Sequence, residues 1–179
     1  FPKDTEVIGL DFSISMLKSA RGRVRQLMRG NAFNLPFRDE VFEVATCFFV
    51  ASDYYVKGDI FLEAYRVLEN NGLLIFADYS PKDEHWMLKR RIRPLLDESC
   101  NILIESEKAL SNKLERAGFK VQKTEFIRFN PTFDLGWYMK SEKEMEKLKE
   151  TDPILWEYIQ HRMNSKKLKR EFILLINKK

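Results

Sequence analysis

The stretch Glu6–Ala20, EVIGLDFSISMLKSA, constrains the fold more than any other part of the chain. A short apolar run ends in the acid Asp11, and Ser13 then stands where its hydroxyl can cap a helix that opens at Ile14. A strand followed at once by a helix belongs to an α/β sheet, not to a stack of hairpins. Such sheets bind ligands beyond the carboxyl ends of their strands, where an acid commonly holds the two hydroxyls of a ribose. Asp11 taken alone is equally suited to capping the helix that follows, and both readings stay open at this level.

The rest of the chain continues the alternation. Gln26–Met28 begins a second strand. The longest apolar run, Phe42–Val50, predicts a central strand buried on both faces. Asp59–Leu68 predicts a helix with Ile60, Phe61, Ala64, Val67 and Leu68 on one face. Asn70-Asn-Gly72 is read as its C-terminal cap, because Asn and Gly tolerate the left-handed conformation. Leu73–Ala77 is a buried strand. Glu84–Glu98 is a helix that Pro94 should kink or split. Glu105–Ala117 is a further helix closed by Gly118, followed by strands at Phe119–Phe129 and Glu171–Ile176. The interval between those strands is too long for a hairpin loop and predicts two helices, the second capped by Asp152 with Pro153 at its first position.

These elements predict one α/β domain over 1–179, with a mostly parallel sheet, helices on both faces, an antiparallel C-terminal edge strand and a helical insertion at about 130–169. At 179 residues, 44% hydrophobic and 32% charged, the composition is that of a globular chain with a sizeable core. No apolar run approaches the roughly 18–20 residues that span a bilayer, so no membrane partner is expected. Two cysteines, Cys47 and Cys100, make no disulfide framework and point to a reducing cytoplasm. The net charge of +4 is mild. Lys89–Arg93 and Lys166–Arg170 are the densest basic stretches; they read as ordinary surface or as phosphate contacts.

Three further segments sharpen the picture: Gly30-Asn-Ala-Phe-Asn-Leu-Pro-Phe-Arg-Asp39, then Val41–Val50, then Glu63-Ala-Tyr-Arg-Val-Leu68 through Gly72 to Ala77-Asp78. Together with Glu6–Ala20, and with Leu114-Glu-Arg-Ala-Gly-Phe119 further on, they resemble class I S-adenosylmethionine-dependent methyltransferases, in particular the group that includes quinone-biosynthesis enzymes. The resemblance runs over roughly residues 5–126 and returns at the last strand. It implies a Rossmann-like sheet whose first strand, glycine loop and helix would lie ahead of Glu6. That missing strand would sit between the strand ending at Asp11 and the one ending near Val50. Without it, another chain or a re-paired sheet would have to fill the gap, because unpaired buried backbone groups cost roughly 1–3 kcal/mol each.

The resemblance also assigns roles. Asp11 would accept from the ribose hydroxyls, with Phe12 and Met16 flanking the adenine; each of the latter two is equally suited to a core. Asn31 stands where the family usually has Asp, and its amide oxygen would accept from the adenine amino group without charge assistance. The Ala32 backbone N–H would meet a ring nitrogen. Leu35-Pro-Phe37 would steer the chain into the central strand. Cys47, Phe48 and Phe49 would lie near the cofactor, and Asp53-Tyr-Tyr55 at the acceptor mouth, with Asp53 and Tyr54 as candidate base or orienting groups. The Asn/Asp-Pro-Pro-aromatic tetrad of nucleobase amino-methyltransferases is absent. His85 and His161 stand in helices as packing or surface residues, and no metal site is expected. Phe129, Phe133, Trp137, Tyr138, Trp156 and Tyr158 would line a lid or form the insertion's own core.

The function implied is methyl transfer from S-adenosylmethionine to a small-molecule acceptor. RNA is the second acceptor class, a non-catalytic binding protein with this fold is the rival reading, and homo-oligomer formation stays open.

Overall fold

The computed structural model describes residues 4–50, 59–96, 104–134, 136, 138–139, 141–165 and 168–179. Asp53, Tyr54, Cys100, Trp137, Lys166 and Lys167 lie outside the described residues. The elements run β1 (Ile8–Asp11), α1 (Ile14–Ala20), β2 (Gln26–Arg29), β3 (Phe42–Phe48), α2 (Ile60–Val67) and β4 (Leu68–Tyr79). They continue with α3 (Glu84–Leu95), α4 (Glu107–Arg116), β5 (Lys120–Phe129), α5 (Glu142–Thr151), α6 (Pro153–Ser165) and β6 (Arg170–Lys178).

Among the described residues the strands form a two-stranded parallel sheet, β1-β2, and a four-stranded sheet ordered β3-β4-β6-β5. Asp11 faces Arg29 in the first. In the second, β3 runs parallel to β4, and β6 is antiparallel to both β4 and β5. The expected antiparallel end of the sheet is present, but β6 lies inside it and β5 takes the edge. The burial of alternate residues explains the order. Glu171, Ile173, Leu175 and Asn177 of β6 are all buried, whereas β5 carries the exposed charges Lys120, Lys123, Glu125 and Arg128 that suit an edge. β1 is not paired with β3, so the sheet has not re-paired across the expected gap.

One face of the four-stranded sheet is packed by helices. Ile60, Phe61 and Ala64 of α2 and Leu110 and Leu114 of α4 close on Leu74 and Phe76 of β4 and on Ile173 and Leu175 of β6. Burying each of the Leu, Ile and Phe side chains among these contributes about 1.5–3 kcal/mol relative to exposure. Gly118 ends α4 with φ +104°, and a Cβ there would stand 2.7 Å from the Tyr65 ring, so both backbone and space require glycine. A second core lies under the insertion: Leu88 and Ile92 of α3, Leu148 of α5, Leu155 and Ile159 of α6, with Phe133, Tyr138, Met139 and Leu168. Trp156 packs against this cluster, and the insertion aromatics Phe133 and Tyr138 are thus core residues.

Three expectations are corrected. β3 is not buried on both faces: Ala45 and Cys47 pack on the helical side, but Val44 and Phe48, on the opposite face, are 46% and 50% exposed. Asn70–Gly72 do not cap α2. That helix ends at Val67, β4 starts at once, and the register between Phe42 and Val44 shifts where Asn71 takes φ +68°. The left-handed preference was real and is used in a bulge. Pro94 does not split α3, which continues through it to Leu95; in the last turn only one main-chain bond is lost.

Candidate functional site

The carboxyl ends of β1 and β2 bring together five of the residues expected at the cofactor. Asp11 ends β1, and its main-chain oxygen accepts from Gly30 N at 3.2 Å, so the segment after β2 lies beside it. Asp11 Oδ1 accepts from Ser13 N at 2.7 Å; the N-cap of α1 is Ser13 itself, whose side chain accepts from Met16 N. Asp11 therefore braces the turn without being the cap. Phe12 and Met16 stand 61% and 58% exposed beside it, and the Arg29 guanidinium lies over the Phe12 ring at 5.3 Å. Asn31 Oδ1 accepts from Phe33 N at 3.0 Å, within its own turn, and a carbonyl oxygen keeps a second lone pair for another donor. Ala32 is half-buried against the main core.

An acid flanked by exposed apolar side chains at strand ends fits an adenosine: the carboxylate suits hydroxyls and the apolar pair suits a flat base. Cys47 and Phe48 do not join one site. Successive strand residues leave on opposite faces. Cys47 turns into the helical layer, where burial and then Asp78 push its thiol up to about 12, while Phe48 stands on the other face.

The Leu35-Pro-Phe37 turn is held from α2. Leu35 N donates to Glu63 Oε2 at 2.7 Å, and Arg66 donates to Leu35 O, Phe37 O, Asp39 and both Glu63 oxygens. The Arg66 bonds hold the Glu63 carboxyl below its ordinary range. The turn is structural, as its sequence implied.

At the carboxyl ends of β3 and β4 the structure gathers Phe49, which the resemblance put near the cofactor, with residues that the sequence reading did not connect to it. Phe49, Tyr79 and Phe172 are in mutual contact, with ring centroids 4.8, 4.7 and 5.3 Å apart. Trp86 lies 4.6 Å from Tyr79, and Phe129 lies 5.1 Å from Phe172. The Arg170 guanidinium lies over Tyr79 and Phe172 and is anchored by Asp83. Asp83 caps α3 through Trp86 N and also accepts from Glu171 N at 2.9 Å. Next to it, Glu84 accepts from Lys169 N and from Arg162 and Tyr158 of α6, tying the insertion to the sheet. Glu171 pairs with Ser80 and Arg128. His85 Nδ1 lies 2.8 Å from Tyr138 Oη; burial, then Arg170, Lys89 and Arg93, pull His85 down to about 3, and burial raises the Tyr138 phenol. The sequence signals for this cluster were the resemblance, which put Phe49 near the cofactor, and Asp83 three residues before Trp86, a capping spacing.

Against known proteins, residues 2–76 match the family described as Methyltransferase domain. The chain is 40% identical over 87 residues to the demethylmenaquinone methyltransferase of Lactiplantibacillus plantarum, an alignment covering 44% of this chain and 37% of that enzyme. The chain thus spans little more than a third of that relative's length. Among solved structures, a Bacillus halodurans protein assigned as a methyltransferase superposes with a TM-score of 0.71 at 23% identity, over 97% of this chain and 83% of the other. An S-adenosylmethionine-dependent methyltransferase of Mesorhizobium loti superposes with a TM-score of 0.58 at 16% identity, over 97% and 80%. The fold is that of these proteins, and the resemblance found in the sequence holds.

Proposed function

We propose that this chain, a class I methyltransferase-type domain by its fold and by the family match over residues 2–76, belongs to an enzyme that methylates a small molecule from S-adenosylmethionine. The observation that carries the reading is the grouping of Asp11, Phe12, Met16, Asn31 and Ala32 at the carboxyl ends of β1 and β2, inside the matched segment. The relatives named demethylmenaquinone methyltransferases support a small-molecule acceptor.

When bound, the cofactor supplies a methyl group activated by a positively charged sulfur. The chain's own residues bind and orient. Asp11 would hold the ribose hydroxyls, its carboxylate charge strengthening both bonds. Phe12 and Met16 would cover the adenine, Asn31 would accept from its exocyclic amine and the Ala32 amide would donate to its ring. Transfer then depends on alignment and exclusion of water, which the insertion supports through α6, tied by Glu84 to the start of α3. The cytoplasm is the proposed compartment; no helix among the described residues is long and apolar enough to cross a membrane.

The test is transfer of a labelled methyl group by the full-length gene product to a naphthoquinol. Label in the organic extract is the expected result. Label confined to the aqueous phase, or found in added RNA, contradicts the reading.

A further inference from the structure

We propose that the aromatic cluster at the carboxyl ends of β3 and β4 is the acceptor's ring subsite, in which Trp86 Nε1 donates a hydrogen bond to an oxygen on that ring. The inference rests on the methyltransferase reading and narrows the acceptor to a flat aromatic compound bearing a hydroxyl or carbonyl oxygen.

Four independent features converge there. Phe49 holds φ +57°, which for a bulky residue is a true outlier, fixed by its N–H donating to Ala77 O at 2.8 Å. Strain of this kind is kept where it sets a functional geometry. Here it lays the Phe49 ring against Tyr79 and Phe172. Phe129, which packs on Phe172 at the rim of the cluster, is 41% exposed, so the cluster keeps an apolar ring surface at its edge for stacking. Arg170, fixed by Asp83, lies over two of the rings and holds them in register.

The fourth feature is Trp86. It is 4% exposed, and its Nε1 has no hydrogen-bond partner. A buried indole N–H nearly always finds an acceptor, and an orphaned one costs about 1–3 kcal/mol. Its ring contacts Tyr79 at the end of β4, in the region where open α/β sheets bind their ligands. A ligand oxygen satisfies that donor, and a ligand ring extends the stack. A plain structural cluster would explain the ring contacts but leaves both the strained Phe49 and the orphaned donor without a purpose.

The test compares 2-naphthol with 2-methylnaphthalene, a near-isosteric pair differing in the oxygen. Binding is followed by the Trp86 indole N–H signal in nitrogen-15 spectra, identified by its loss in Trp86→Phe, and by calorimetry. The protein is expected to bind 2-naphthol about five-fold more tightly than the methyl compound, the ratio one hydrogen bond supplies, with a downfield shift of the Trp86 signal. In Trp86→Phe the preference should fall below about two-fold. Phe49→Gly, which relieves the strained conformation and removes one ring, should weaken both compounds together. No saturable binding, equal affinity for the two, or a preference that survives Trp86→Phe overturns the proposal. S-adenosylhomocysteine is titrated in parallel: its failure to bind the wild type counts against the methyltransferase reading, whereas loss of the naphthol preference alone counts only against this subsite.

Discussion

Asp83 Oδ2 accepts from Arg170 Nε at 2.7 Å, joining the cap of α3 to the first residue of β6. Asp83 is fully buried and the Arg170 side chain is 11% exposed, so neither charge has water to fall back on. Breaking such a pair from one side leaves an uncompensated buried charge, which costs about 3–5 kcal/mol. Asp83→Ala is therefore expected to lose roughly that much stability in urea denaturation, because the helix cap is lost as well. A loss below about 1 kcal/mol would show that Arg170 finds another partner.

His85 supplies a pH dependence. Its folded pKa, near 3, lies below the ordinary value of 6.5, so between those limits the unfolded chain binds a proton that the folded protein refuses. Stability falls as pH drops through that window, with a slope approaching about 1.4 kcal/mol per pH unit. His85→Gln should flatten this part of the profile. In carbon-detected spectra the His85 ring is expected to stay neutral at pH 5; a titration midpoint near 6.5 contradicts the account.

Cys47 behaves in the opposite sense. Its thiol, pushed up to about 12, keeps its proton in the folded state while the unfolded chain loses it from about pH 9, so stability falls as pH rises above that point. In a Cys100→Ser background, the aromatic disulfide reagent DTNB at pH 8 should modify Cys47 at least ten-fold more slowly than in urea. Equal rates would place the thiol on the surface.

Arg66 holds the Leu35-Pro-Phe37 turn through a fork that lysine cannot reproduce. Arg66→Lys should lower stability by roughly 1–3 kcal/mol and loosen the turn, seen as faster amide exchange at Leu35, whose N–H bonds Glu63. Unchanged exchange at Leu35 would mean that Glu63 holds the turn unaided.

Much of this arrangement was legible in the sequence where local chemistry fixes it. Ser13 caps the helix its spacing predicts, the helix expected over Asp59–Leu68 runs Ile60–Val67, Asp152 accepts from Leu155 N ahead of α6, and Gly118 closes α4. What escaped depended on partners distant in sequence. Nothing local to Phe42–Phe48 says that one of its faces stays open, and so the exposure of Val44 and Phe48 could not be read from its apolar composition. The Asn70–Gly72 signal was correct in conformation and wrong in context, since a bulge and a helix cap need the same φ. The cluster of Phe49, Tyr79, Trp86 and Phe172 is gathered from three strand ends and a helix, and the Asp83–Trp86 capping spacing is local to the helix alone.

The central claim is that Asp11 holds the ribose of S-adenosylmethionine. Calorimetric titration of the full-length gene product with S-adenosylhomocysteine, against the same protein carrying Asp11→Ala, tests it most directly. The account predicts saturable one-site binding by the wild type and a loss of affinity of at least about thirty-fold in Asp11→Ala, as two charge-assisted bonds disappear. No binding by the wild type, or equal affinity in the variant, would contradict it.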